Sequence, residues 1–193
     1  MIFDENYYKT LNYTDYLSRR NKYLKTAKEL SNCLESVSII HKHSSILDYG
    51  CATGFLMEGF KVIGYRNVYG YDISEWASKE ARRKGLELLK FEGDTHFSLI
   101  TALDVFEHMT DEQIHDMSTH FSSSALVVRI PCSIDGKTFH LDVSKRDPTH
   151  INCKTKKQWQ QLLNYSGGYQ RFLDLNLLMI YDSPGVMCTL CLR

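Results

Sequence analysis

Ser45-Ile-Leu-Asp-Tyr-Gly-Cys-Ala-Thr-Gly-Phe55 places an acid and then two glycines where a short apolar run ends. The run Ser45 to Leu47 predicts a buried strand, and Phe55 to Val62 suits a helix stopped by Gly64. Strand, glycine turn and helix in that order open a βαβ unit. In such sheets ligands sit at the carboxyl ends of the strands, where the topology reverses. Asp48 and the loop after it are therefore expected at a ligand site.

Outward from this stretch the chain alternates. Upstream, Tyr16, Tyr23, Leu24, Ala27, Leu30 and Leu34 recur at helical spacing and predict one amphipathic helix. Downstream, Val68 to Tyr71 reads as the second strand and is followed by Asp72. Ser74 caps a helix to about Arg83, with Gly85 behind it. Further strands are expected at 86–89, 99–103 and 125–130, the last stopped by Pro131. Thr110-Asp-Glu-Gln113 and Thr155-Lys-Lys-Gln158 are capping boxes that each open a helix. Two closing strands, 172–181 and 186–192, are joined by a turn at Asp182-Ser-Pro-Gly185. This order predicts an α/β fold with a mostly parallel sheet of seven strands, helices on both faces and a C-terminal antiparallel hairpin.

The ligand follows from what the loop lacks. A dinucleotide site asks for G-x-G-x-x-G, but here Ala52 and Phe55 occupy the second and third glycine positions. What remains is D-x-G-x-x-x-G, with Asp72 lying 24 residues after Asp48. That suits a ligand with no phosphate, a cationic amino-acid end and a ribose. Asp48 meets the ammonium, Gly50 and Gly54 let the backbone of the loop through Cys51 and Ala52 approach the cofactor, and Asp72 accepts from the ribose hydroxyls. S-adenosylmethionine is such a ligand.

From Ser44 to Arg193 the chain resembles the class I S-adenosylmethionine-dependent methyltransferases. The resemblance rests on I-L-D-Y-G-C-A-T-G, V-Y-G-Y-D and L-I-T-A-L-D-V-F-E-H, in that order. It implies a Rossmann-like core over 44–193 beneath a helical cap over 1–43, together forming one domain of 193 residues. It also implies that Ile73 lies on one adenine face, that Asp94 meets the adenine, and that Asp104 and Val105 form the floor under the sulfonium. Tyr16 or Arg19 would close over the cofactor carboxylate. Ala52 departs from the glycine usual in the family, at a cost of about 1 kcal/mol if its φ is positive.

On the acceptor side, the loops after the fourth and fifth strands carry Glu107, His108, His140, Asp142, Arg146, Asp147 and His150. Within R-D-P-T-H-I-N, Pro148 stiffens the turn that presents Asp147 and His150. His150, His108 and Asp147 are the candidate proton-removing residues for an oxygen or nitrogen acceptor. A metal held by His140, Asp142, Asp147 and His150 is not expected, because mixed loops assemble such sets by chance. Pro131-Cys132 resembles a cytosine C5 nucleophile pair but follows the wrong strand. The six cysteines have no framework spacing and read as free thiols, with Cys188 and Cys191 on opposite faces of one strand.

Formal net charge is zero and 43% of residues are apolar. No basic excess marks a nucleic-acid footprint, so a small molecule or sugar is the expected acceptor. Nucleic acid or protein as acceptor, and a non-catalytic cofactor-binding subunit, are the alternatives. Neither a signal peptide nor a membrane span is read, so a cytoplasmic monomer or homodimer is expected.

Overall fold

The structure is a computed structural model that describes residues 3–11, 16–178 and 180–193. Side chains at 10, 11 and 17 are likewise not described. Two compact units meet in sequence at Phe91 and Glu92.

The first unit holds β1 (Ile46–Tyr49), β2 (Val68–Tyr71) and β3 (Glu87–Leu88), all parallel, in the order β3-β2-β1. Its helices are α1 (Arg20–Ser36), α2 (Phe55–Val62) and α3 (Glu75–Arg83). All four residues of β1 are buried, as the apolar run predicts for a strand covered on both faces. Ala27, Leu30 and Leu34 form the buried stripe of α1. Against that stripe α2 presents Gly59, where a Cβ would lie 2.5 Å from the Ala27 Cβ, so the glycine sets how closely the two helices approach. The Ser74 side chain accepts the Ala77 amide as the expected cap of α3. One boundary moves: α1 starts at Arg20, and Leu17–Arg19 form a 3₁₀ turn ahead of it.

The second unit holds β4 (Thr95–Leu103), β5 (Phe121–Pro131), β6 (Arg171–Asp174) and β7 (Val186–Leu192) in the order β4-β5-β7-β6. Its helices are α4 (Asp111–His120), the short α5 (Asp142–Arg146) and α6 (Lys156–Gly167). Both capping boxes form, Thr110 with Gln113 and Thr155 with Gln158. β4 and β5 are parallel, and β7 runs antiparallel to both β5 and β6. The first unit thus contributes three parallel strands and the second a parallel pair with a C-terminal antiparallel hairpin, as the α/β reading predicts.

Two expectations about strand length need correction. β4 and β5 begin four residues before the apolar runs, at Thr95 and Phe121. There His96 pairs with the Ser122 hydroxyl at 3.0 Å and the Ser124 hydroxyl at 3.1 Å. A strand pair built from polar cross-strand contacts leaves no hydrophobic period to read. β6 ends at Asp174 rather than near Tyr181, because the Asp182 carboxylate takes the Cys188 amide at 3.1 Å and bends the chain out of the ladder. The turn itself is where expected, with Ser183 and Val186 exchanging hydrogen bonds of 3.0 and 3.1 Å around Pro184-Gly185. Cys188 and Cys191 are buried and unpaired. Among the described residues, no helix is long and apolar enough to cross a membrane.

Candidate active site

In the first unit the loop between β1 and α2 turns on three left-handed residues, with φ of +73° at Gly50, +48° at Ala52 and +83° at Gly54. The Gly50 and Cys51 amides both donate to the Tyr71 carbonyl, at 2.8 and 3.0 Å, tying the loop to the end of β2. A Cβ on Gly54 would stand 2.2 Å from Leu86 Cδ1, so only glycine fits there. Ala52 has no such exemption. A non-glycine residue in this region costs about 1 to 2 kcal/mol and persists where its neighbours over-determine it. Here the Ala52 amide donates to one carboxylate oxygen of Asp72 at 2.7 Å, while the Ser74 amide donates to the other at 2.8 Å.

Each carboxylate oxygen has two acceptor positions, so Asp72 retains one on each for further donors. Burial pushes its carboxyl up to about 6, and the two amides hold it from rising further. Asp48 is buried beneath the loop in β1, and Cys51 is buried within the loop, its thiol driven far above the usual range by burial. Ile73, next to Asp72, is 63% exposed, a bare apolar side chain at the carboxyl end of β2.

The N-terminal aromatics cover this loop. Tyr16 stacks on Phe55 with centroids 5.3 Å apart, and Tyr8 stacks on Trp76 at the same distance. With Tyr7, Ala52 and Ala77 they form one buried cluster. The Ser74 hydroxyl donates to the Phe3 carbonyl at 2.5 Å, which pins the segment beside Asp72. Arg19 is half-buried, and its amide closes a turn on the Tyr16 carbonyl at 3.0 Å. Tyr13 lies outside the described residues.

In the second unit Asp94 is exposed and precedes β4. The nine residues of that strand span about 30 Å, so Asp94 stands at the opposite end from Asp104. Asp104 follows β4 with φ +58°, and its carboxylate is gripped by the Arg129 guanidinium, Nε to Oδ1 being 2.8 Å and Nη2 reaching Oδ2. Val105 is half-buried beside it.

A buried cluster then forms around the turn Phe106–His108. The Ile151 and Asn152 amides donate to the Glu107 carbonyl at 2.9 and 3.0 Å, which brings R-D-P-T-H-I-N onto this turn. Asp147 Oδ1 accepts the Thr149 amide at 2.9 Å and the Thr149 hydroxyl at 2.6 Å. His150 Nε2 lies 3.4 Å from Asp147 Oδ2, and the His108 and His150 rings meet edge to face with centroids 4.7 Å apart. His108 Nδ1 is 2.8 Å from the Thr149 hydroxyl oxygen and 3.1 Å from the Thr149 carbonyl oxygen. Since that hydroxyl spends its proton on Asp147, His108 Nδ1 is the donor, and its Nε2 keeps a lone pair. Burial lowers both imidazoles below the ordinary histidine value, with each other's charge adding for His108, so both are neutral near pH 7.

Glu107 has no exposed surface, and among the described residues neither of its carboxylate oxygens has a hydrogen-bond partner. Burial, with Asp104 adding, drives its carboxyl well above the usual range. The sequence names Glu107 in the loop but signals neither its burial nor the part played by Thr149; the D-P-T turn is the one clue to the latter. His140 and Asp142 are exposed and stand apart from this cluster, Asp142 pairing with Lys145 at 2.8 Å. Burial pushes Cys132 up to about 12, which leaves it a thiol rather than a nucleophile.

Known proteins agree with this architecture. Magnesium protoporphyrin IX methyltransferase from Synechocystis PCC 6803, crystallised with bound SAH, is 18% identical with a TM-score of 0.60, covering 90% of this chain and 84% of that one. A SAM-dependent methyltransferase from Archaeoglobus fulgidus is 16% identical with a TM-score of 0.62, over 93% of this chain and 100% of that one. The methyltransferase domain of bacterial CtHen1-CN is 18% identical with a TM-score of 0.59, over 90% and 100%. No curated protein matches the chain. A family model described as a methyltransferase domain matches residues 14–169, and with the fold above it shows that the chain belongs to the class I S-adenosylmethionine-dependent methyltransferases.

Proposed function

We propose that this methyltransferase moves a methyl group from S-adenosylmethionine to an oxygen or nitrogen atom of a small molecule or sugar. The observation that carries the acceptor chemistry is the pair of neutral, buried imidazoles of His108 and His150, backed by Asp147 and Glu107. Histidines kept neutral by burial hold a basic nitrogen ready near pH 7, which an oxygen or ammonium acceptor requires.

The first unit's residues fit the donor. Asp72 offers acceptor positions to ribose hydroxyls, Ile73 offers an apolar wall to an adenine, and Asp48 offers a buried carboxylate to the ammonium end. The glycine loop leaves room for the backbone to come close. When bound, the cofactor supplies a methyl on a cationic sulfonium, and as the acceptor–CH₃ bond forms the S–CH₃ bond breaks to leave a neutral thioether. Much of the rate enhancement then comes from positioning, because the donor is already activated. Asp147 orients His150, and His150 takes the proton the acceptor must lose. Thr149 holds His108 in the tautomer whose Nε2 faces Glu107.

The absence of net charge supports a small acceptor over a polyanion. The test is incubation with labelled S-adenosylmethionine against metabolite, sugar-nucleotide, protein and RNA fractions. Label appearing in the low-molecular-weight fractions is the expected result; label confined to RNA or protein would overturn the acceptor class.

A further inference from the structure

Glu107 raises a problem of its own. Its carboxylate is fully buried and, among the described residues, without a hydrogen bond, an environment that penalises a charged group. Nε2 of His108 and Nε2 of His150 each lie 3.9 Å from Oε1. The His108 nitrogen is a lone pair by the tautomer argument, since its Nδ1 proton is committed to Thr149.

We propose that Glu107, His108 and His150 form a binding site for one divalent transition-metal ion. One ligand atom from each lies within 4.8 Å of the others. Ligands around such an ion at about 2.1 Å stand roughly 3.0 to 3.5 Å apart, so the two 3.9 Å separations from Glu107 close with small side-chain movements, and the two imidazole nitrogens, within 4.8 Å of each other, must also draw together. Two imidazoles and a carboxylate suit zinc, manganese or iron(II) rather than calcium or magnesium, which prefer all-oxygen shells. The outer shell is also built: Thr149 accepts from His108 Nδ1 and in turn donates to Asp147, the arrangement that fixes a ligating imidazole's orientation. Three protein ligands leave coordination positions open. On the methyl-transfer reading, an acceptor hydroxyl would take one of them and lose its proton more readily, with Asp147 rather than the metal-bound His150 receiving that proton. That consequence rests on the proposed function; the binding itself does not.

The experiment uses the full chain, stripped with a chelator and titrated with zinc or manganese chloride by calorimetry. One equivalent should bind, and Glu107→Gln and His150→Ala should each weaken binding by about tenfold or more. Should either variant fail to fold, manganese added to the wild-type chain should broaden the ring-proton resonances of His108 and His150 before those of the exposed His115 and His140. Loss of saturable binding by the wild-type chain, undiminished affinity in folded Glu107→Gln, or broadening centred on other histidines would each overturn the site. Methyl incorporation measured with and without the ion separates the two readings. A chain that binds metal but methylates nothing rejects the function alone, and one that methylates without binding metal rejects the site alone.

Discussion

One carboxylate oxygen of Asp72 accepts the Ala52 amide at 2.7 Å, so the acid at the end of β2 holds a strained alanine in the loop after β1. The two sequence motifs named for cofactor contact are thereby one hydrogen-bonded assembly. Asp72→Ala should weaken binding of the demethylated cofactor by about 1.5 to 3 kcal/mol, the range for hydrogen bonds to a charged group. Calorimetry on the folded variant measures it, and unchanged affinity would remove Asp72 as the ribose anchor.

The same residue predicts a pH effect with two opposite signs. Its folded carboxyl lies near 6, above the unfolded value, so the ligand-free protein gains stability from this group as pH falls through 6 and loses it as pH rises. Cofactor affinity should move the other way, weakening below about pH 6 as Asp72 stops being an ionised acceptor. Asp72→Asn should abolish both trends, as read by thermal melts and by calorimetry at two pH values.

Ala52 sits at φ +48°, where a β-branched side chain is far less tolerable than a methyl. Ala52→Val should cost about 2 kcal/mol or more in urea unfolding. Ala52→Gly should stay within about 1 kcal/mol of wild type, since relief of strain offsets the lost methyl and the looser unfolded chain. A valine variant as stable as wild type would mean the loop adopts another conformation.

Arg129 grips Asp104 with two nitrogens, and both side chains are largely buried. Removing the guanidinium strands a carboxylate in a left-handed backbone position. Arg129→Met should cost about 2 to 4 kcal/mol, and adding Asp104→Asn should recover part of that loss. Additive effects in the double variant would show that the pair is not coupled.

His150→Ala should lower turnover by about 100-fold or more while cofactor affinity stays nearly unchanged, because His150 belongs to the acceptor cluster and Asp72 to the donor loop. Single-turnover kinetics with an authentic acceptor, alongside calorimetry, make the comparison. Full turnover by the variant would shift the role to His108.

Much of this protein was legible in its amino-acid order. The βαβ frame, both capping boxes, the closing turn and the loop around Asp48 to Gly54 are local events, set by spacing, caps and backbone preference within a few residues. The positive φ of Ala52 entered as a condition, from the glycine usual in the family at that place, and the backbone meets it at +48°. The limits appear where burial and pairing decide. Polar residues from Thr95 and Phe121 lengthen two strands because His96 finds Ser122 and Ser124 across the ladder. Asp182 ends β6 early by capturing an amide six residues ahead. Glu107 is the clearest case. Its sequence neighbours describe an ordinary acidic turn, yet His150 is carried onto it from 43 residues away by the hydrogen bonds of Ile151 and Asn152. Only that long-range closure removes the carboxylate from water and sets it against two imidazoles, since residue type specifies a charge while the tertiary fold alone decides whether solvent remains to stabilise it.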